Sequence, residues 1–371
     1  MKKIKILFKM FYLYHKAAYD PLLDVFTNDP KFDVAISLTN EVKRSFGFLD
    51  RQQSDIYLNQ FQKDGYRISD ENEQFDIVIV PDVVDESKFG KTLLCLIYHG
   101  ITFTKTVTFR ELNKHRDQRY MIFAEGDFSV AQLQKSGCLG KSEIHKVGYP
   151  KLDPYFKDGQ FDREQILMSL GLDPSKKTVV FAPTYKPTCL YEIKDAIFEA
   201  TKEYNLIIKL HHYAWSGKYA RHSQHRIFER RIPKYPHAVL IPQATYNILP
   251  LLYIADTLIS EASGAITEFL ATGKIGIIYD LDHEKLRHSD GEHLLTNDNR
   301  EFLSDSFVHI NHPDQLSAGI KQALNPAPAM IAAANRERNY YFHKLDGQAA
   351  QRTKVEIERL LTEGTHFNSV E

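Results

Sequence analysis

The segment Leu258-Ile-Ser-Glu-Ala-Ser-Gly-Ala-Ile-Thr-Glu-Phe-Leu-Ala-Thr-Gly-Lys-Ile-Gly-Ile-Ile-Tyr279 decides the fold. Its apolar start predicts a buried strand that gives way to small polar residues, Ser260, Ser263 and Gly264. An amphipathic helix follows, then a second apolar strand ending at Tyr279. Strand, helix and strand make a βαβ unit, the building block of parallel α/β sheets. The unpaired N–H groups and positive dipole end at the start of such a helix suit a phosphate. A dinucleotide-binding fold usually carries this turn near its N-terminus, whereas here it lies near residue 260.

On either side of this unit, short apolar runs alternate with helical stretches, the pattern of a largely parallel sheet. Strands are predicted at Ile4–Phe8, Phe32–Leu38, Phe75–Val80, Leu93–Tyr98, Tyr120–Ala124 and Ile144–Gly148, with helices over 11–27 and 127–136. A charged connection and helix over Lys151–Gly171 interrupt the pattern, which then restarts. New strands are predicted at Thr178–Ala182, Leu206–Leu210, Ala238–Ile241, Thr257–Ile259 and Ile275–Tyr279. The expected organisation is two Rossmann-like α/β domains, 1–155 and 156–345, facing each other across a cleft in the GT-B manner. A final helix within 346–371 is expected to pack back on the first domain. Ligands of open α/β sheets bind at the carboxyl ends of the strands.

Composition narrows the function classes. A chain of 371 residues with 43% apolar content has room for two packed domains. Its 47 basic and 48 acidic residues nearly cancel, so bulk attraction to nucleic acid is not expected. Three widely spaced cysteines (Cys95, Cys138, Cys189) offer no disulfide framework or zinc motif, which fits a reducing cytoplasm. Lysines break the apolar N-terminus, which makes it a poor signal peptide. No stretch reaches the roughly 20 apolar residues of a membrane span. Lys2, Lys3, Lys5 and Lys9 with Phe8, Phe11 and Tyr12 are a candidate membrane-surface contact, though a first core strand with solvated lysines explains them better.

The candidate chemistry falls at strand ends. His99 and Gly100 directly follow one strand; His99 can exchange a proton near neutral pH. The same position also suits a histidine that merely satisfies backbone groups. Lys209, His211 and His212 end another strand, where a cation would stabilise a departing phosphate. Thr184 and Lys186, in Phe181-Ala-Pro-Thr-Tyr-Lys186, are potential phosphate contacts, although an ordinary turn accounts for them equally simply. Ser260, Ser263 and Gly264 are phosphate-holding candidates. Glu261 and Glu268 are candidates for ribose hydroxyls, and helix capping is compatible with both roles. No Gly-x-Ser-x-Gly, phosphate-binding P-loop or His-Glu-x-x-His motif is present, and no metal ligand set is expected.

These segments resemble the CDP-glycerol glycerophosphotransferase family, which builds teichoic-acid-type polymers. The resemblance runs in order over roughly residues 90–360. Tyr98-His-Gly-Ile-Thr with Lys105 is similar to the family's Trp-His-Gly-Thr block and its following lysine. Gly148-Tyr-Pro-Lys-Leu-Asp153, Phe181-Ala-Pro-Thr-Tyr185 and Lys209-Leu-His211 resemble three further blocks. Ala255-Asp256 through Phe269 resembles the serine block, and Asp346-Gly-Gln-Ala-Ala-Gln-Arg352 the closing helix. The resemblance implies transfer of glycerol phosphate, or a related phospho-alcohol, from a CDP-linked donor to a hydroxyl of a surface polymer, with release of CMP. It implies His99 as general base, His211 at the diphosphate, and Ser263 with its neighbours around the nucleotide. CDP-glycerol or another CDP-alcohol is then the substrate, with no separate cofactor. The acceptor would be a saccharide or lipid-linked polymer, which implies a cytoplasmic protein with peripheral contact at the inner membrane face. The family's Asp-Tyr-Ser-Ser is Glu261-Ala-Ser-Gly264 here, which leaves open a GT-B glycosyltransferase using a nucleotide sugar for capsule or cell-surface polysaccharide.

Overall fold

Long apolar runs become strands buried on both faces. The computed structural model describes residues 3–45, 49–69, 73–84, 92–100, 107–216, 224–261, 263–282, 293 and 302–363. The first half contributes β1 (Ile4–Met10), β2 (Phe32–Leu38), β3 (Val42–Ser45), β4 (Leu49–Gln52), β5 (Arg67–Ile68), β6 (Ile77–Val80), β7 (Leu93–Leu96), β8 (Met121–Ala124) and β9 (Glu143–Lys146). The second half contributes β10 (Thr178–Phe181), β11 (Asn205–Ile208), β12 (Ala238–Leu240), β13 (Thr257–Ser260), β14 (Ile277–Tyr279) and β15 (Val308–Ile310).

One sheet runs β5-β2-β1-β6-β7-β8-β9 and the other β12-β11-β10-β13-β14-β15. Every pairing within the two sheets is parallel. Residues such as Ile77-Val-Ile-Val80 and Leu93-Leu-Cys-Leu96 are wholly buried, as helices on both faces require. In each sheet the strand order reverses once, between β1 and β6 and between β10 and β13. Helices diverge to opposite faces at such a reversal and leave a crevice beyond the strand ends. The carboxyl ends of β1, β6, β10 and β13 therefore define where a ligand sits.

Several elements escaped the sequence reading. The antiparallel pair β3–β4 carries Lys43, Arg44 and Arg51 rather than an apolar run. β5 is two residues long, and β15 three. Helices at Ser54–Lys63 and Pro328–Tyr341 were also not anticipated. The first helix begins at Lys16, after a 3-10 turn at Leu13–His15, not at residue 11. Lys5 and Lys9 lie within β1, a core strand whose Phe8 and Met10 are fully buried, and Lys2 lies outside the described residues. No helix among the described residues is long and apolar enough to cross a membrane.

The helix Ala349–Glu363 returns to the first half. Ala350, Ile357 and Leu360 enter the core formed by Phe8, Leu22 and Phe26. Lys354 pairs with Asp29 at 2.7 Å. The Asp153 carboxylate accepts the backbone N–H groups of Ala349 and Ala350 at 2.9 and 2.7 Å, and so caps the helix. Arg352 donates to the Val147 carbonyl at 2.7 Å and pairs with Asp346. The two blocks Gly148–Asp153 and Asp346–Arg352 thus meet as one structural joint. Gly148 has φ +97°, and a Cβ there would lie 2.7 Å from the His343 carbonyl oxygen. Gly148→Ala is expected to destabilise the protein by about 1–3 kcal/mol. Urea unfolding checks this; an unchanged midpoint would show that the joint relaxes freely.

Candidate active site

A cavity of about 350 Å³ opens between the carboxyl ends of the two sheets. From the first half it is lined by Tyr14, Asp82, His99, Gly100 and Lys151. From the second half, Thr184, Tyr185, Lys209, His211, Ser263, Gly264 and Glu268 face it. Nine residues expected from the sequence therefore share one space: His99, Gly100, Thr184, Lys209, His211, His212, Ser263, Gly264 and Glu268.

Three others do not line it. Lys186 is exposed. Ser260 is fully buried; its hydroxyl donates to the Ala182 carbonyl at 2.6 Å and lies 2.9 Å from that of Ser263. It thereby fixes the residue that begins the helix Gly264–Leu270. Glu261 is also buried, and its carboxylate accepts the N–H groups of Thr184 and Cys189, each at 2.7 Å. Burial pushes the Glu261 carboxyl above its ordinary range, and the two N–H donors partly offset this. Glu261 holds the loop after β10, because two buried N–H groups need its oxygens. Lys105 lies outside the described residues.

His99 sits just past β7 with its side chain 24% exposed. Its Nδ1 lies 3.3 Å from the Pro81 carbonyl oxygen and 3.7 Å from the Asp82 carboxylate. The Tyr149 hydroxyl is within hydrogen-bond reach of the His99 carbonyl (3.0 Å) and of Glu268 (3.3 Å), so it touches both halves. Lys151 crosses the same boundary to Glu268 at 2.6 Å, a pair with side chains only 10% and 3% exposed. Glu268 Oε2 is buried and makes no hydrogen bond among the described residues. A buried carboxylate oxygen without a donor is costly, and a ligand hydroxyl would satisfy it.

Lys209 follows β11. Burial, and then the neighbouring Lys151 charge, lower its pKa to about 8. An anion would restore the favoured charged state. His211 packs against Tyr185 and Tyr14, with ring centroids 4.6 and 5.4 Å away. Tyr14 also packs on His99 at 5.3 Å, which places both histidines around one ring. The Tyr14 and Tyr213 hydroxyls lie 3.4 Å apart, and burial raises the Tyr14 pKa, so its phenol stays protonated. His212 also lines the cavity and pairs with buried Glu41 at 2.7 Å. Glu41 also accepts the Leu13 N–H, and so ties the loop after β1 to the end of β11.

Sequence reasoning missed Tyr14, His15 and Asp82. The signal was topological: they follow β1 and β6, the strands that flank the reversal in the first sheet. His15, Asp82 and His99 also bring three ligand-type atoms within 4.8 Å of one another.

Comparison with known proteins assigns the chain. The family model for CDP-Glycerol:Poly(glycerophosphate) glycerophosphotransferase matches residues 97–358. No curated protein sequence matches the chain directly. Among solved structures, a variant of the wall teichoic acid polymerase TagF superposes with a TM-score of 0.67 at 13% identity, over 98% of this chain and 90% of that one. A TagF structure soaked with CDPG gives 0.63 at 16% identity, over 98% and 90%. A UDP co-structure of S. aureus MnaA gives 0.60 at 14% identity, over 97% of each chain. These likenesses establish the shared GT-B fold, in which two parallel-sheet halves face a cleft.

Proposed function

We infer the reaction from one premise: the chain belongs to the CDP-glycerol:poly(glycerophosphate) glycerophosphotransferase family. It is a transferase of that type, acting on a CDP-linked donor. The observation that carries the residue assignment is the convergence of His99, Lys209 and His211 on one cavity between the two sheets.

In the mechanism we propose, the acceptor hydroxyl lies against Nε2 of His99. Its oxygen attacks the phosphorus that bears glycerol, and its proton passes to His99. A new P–O bond forms to the acceptor, and the bond from that phosphorus to the bridging oxygen of the diphosphate breaks. CMP leaves with the bridging oxygen and its electron pair. Lys209 and His211 balance the charge that develops there, the main requirement of phosphoryl-type transfer. Ser263 and Gly264 approach the nucleotide phosphates. Glu268 Oε2 accepts a ribose hydroxyl, which gives that buried oxygen its donor. The acceptor is a saccharide or lipid-linked polymer presented at the inner face of the cell membrane.

The experiment is incubation of the purified protein with CDP-glycerol and a glycerol-phosphate-primed saccharide. CMP release with growth of the acceptor is expected. No release, combined with thermal stabilisation by a UDP-sugar and none by CDP-glycerol, would replace this reading with sugar transfer.

Lys209 sets the pH dependence of donor binding. Its ammonium is charged well below pH 8 and increasingly neutral above it. A bound diphosphate favours the charged form, so donor affinity should fall as pH rises past about 8. Binding at pH 8–9 should also take up protons, read by calorimetry in buffers of different ionisation enthalpy. Binding enthalpy independent of buffer would remove Lys209 from the diphosphate site.

A further inference from the structure

Beside His99 lies a histidine that the proposed mechanism does not use. His15 is wholly buried, and its Nδ1 accepts the Phe11 backbone N–H at 3.2 Å. That bond fixes the tautomer. Burial pushes the His15 pKa well below its ordinary value, helped by His99, His212 and His211, so the ring is neutral. With Nδ1 accepting, its single proton is on Nε2. Nε2 makes no hydrogen bond among the described residues and lies 3.9 Å from Asp82 Oδ2. The ring of His15 also packs on that of His99, with centroids 4.6 Å apart.

His99 obeys the same logic. A carbonyl oxygen only accepts, so the Nδ1 that meets the Pro81 carbonyl carries a proton. The same Nδ1–H is 3.7 Å from Asp82 Oδ2. One carboxylate oxygen is thus faced by an N–H from each ring. This arrangement does not suit a metal ion, which needs lone pairs on the two nitrogens that here carry protons.

We propose that Asp82, held between His15 and His99, is a positioning residue for the transfer. It keeps His99 as the Nδ1–H tautomer, with the Nε2 lone pair open to the acceptor hydroxyl, and balances the imidazolium once His99 takes the proton. His15 presents its fixed Nε2–H to the same carboxylate oxygen from 3.9 Å and so favours its charged form. This inference rests on His99 acting as the base. Asp82 and His15 both precede residue 97, where the family match begins.

The test is a double-mutant cycle on the purified protein, with CDP-glycerol as donor. Asp82→Asn places an amide where His15 offers a proton, so it should lower kcat by about 10²-fold or more and leave the donor KM unchanged. Asp82→Glu, which restores the charge, should recover part of the loss. In a His99→Asn background, Asp82→Asn should cause no additional loss, because Asp82 acts only through that ring. Losses that multiply, or a changed KM and melting temperature with kcat intact, would overturn the proposal. ¹⁵N NMR of the His99 imidazole separates the two assignments. A proton found on Nε2 of neutral His99 overturns the positioning role alone. Full turnover by the single variant His99→Asn overturns the base assignment and the proposal with it.

Discussion

Replacing His99 by asparagine is expected to lower kcat for glycerol phosphate transfer by roughly 10²–10⁴-fold, the range of a positioned general base. The substitution is chosen for its shape. An asparagine amide can still donate to the Pro81 carbonyl, which His99 Nδ1 meets at 3.3 Å. The backbone carbonyl that Tyr149 reaches at 3.0 Å is untouched. The missing group is the second ring nitrogen, the only part of His99 able to take the acceptor proton. Donor binding and the melting temperature should therefore stay near those of the parent protein. Steady-state kinetics with varied CDP-glycerol separate these effects. A raised donor KM with unchanged kcat would move His99 from proton transfer to donor binding.

The largest stability loss is expected at Glu268. It sits under the cavity with Lys151 at 2.6 Å and the Tyr149 hydroxyl at 3.3 Å. The pair joins the turn after β9 to the helix after β13, and is almost shut off from water. Glu268→Ala would leave a buried ammonium without its counter-charge. Breaking such a pair from one side costs about 3–5 kcal/mol, against about 0–1 kcal/mol for a solvated one. Glu268→Gln, which keeps an acceptor for Lys151, should lose less. Urea denaturation of both variants measures the difference. A loss under about 1 kcal/mol for the alanine variant would mean that water reaches the pair and screens it.

The sequence made the parallel sheets legible because strands buried on both faces must be apolar throughout. Val179-Val-Phe181 and Leu206-Ile-Ile208 carry that signature and pair in register. β5 and β15 are too short to generate periodicity, and β3–β4 is polar. At the site, the residues found were those whose own strand announced them, such as His99 after β7 and His211 after β11. Tyr14, His15 and Asp82 carry no local pattern. They meet His99 only because β1 and β6 become neighbours, a fact set by strand order. Glu261 shows the converse limit. Its place beside the serines suits a ribose contact, while nothing local in the sequence shows that the N–H groups of Thr184 and Cys189 bond to its two oxygens.

The return of the helix Ala349–Glu363 to the first half bears on how the protein is made. Ala350, Ile357 and Leu360 complete a core whose other walls, including Phe8 and Phe26, leave the ribosome more than 300 residues earlier. The second sheet is contained between these two contributions, so it can close on itself while the first half still waits. At roughly 5–20 residues per second, that wait is on the order of tens of seconds. During it, the apolar faces of β1, β2 and the helix Lys16–Thr27 lack their last cover. The segment that closes the molecule is thus also the one whose late arrival exposes the nascent chain to chaperones and proteases.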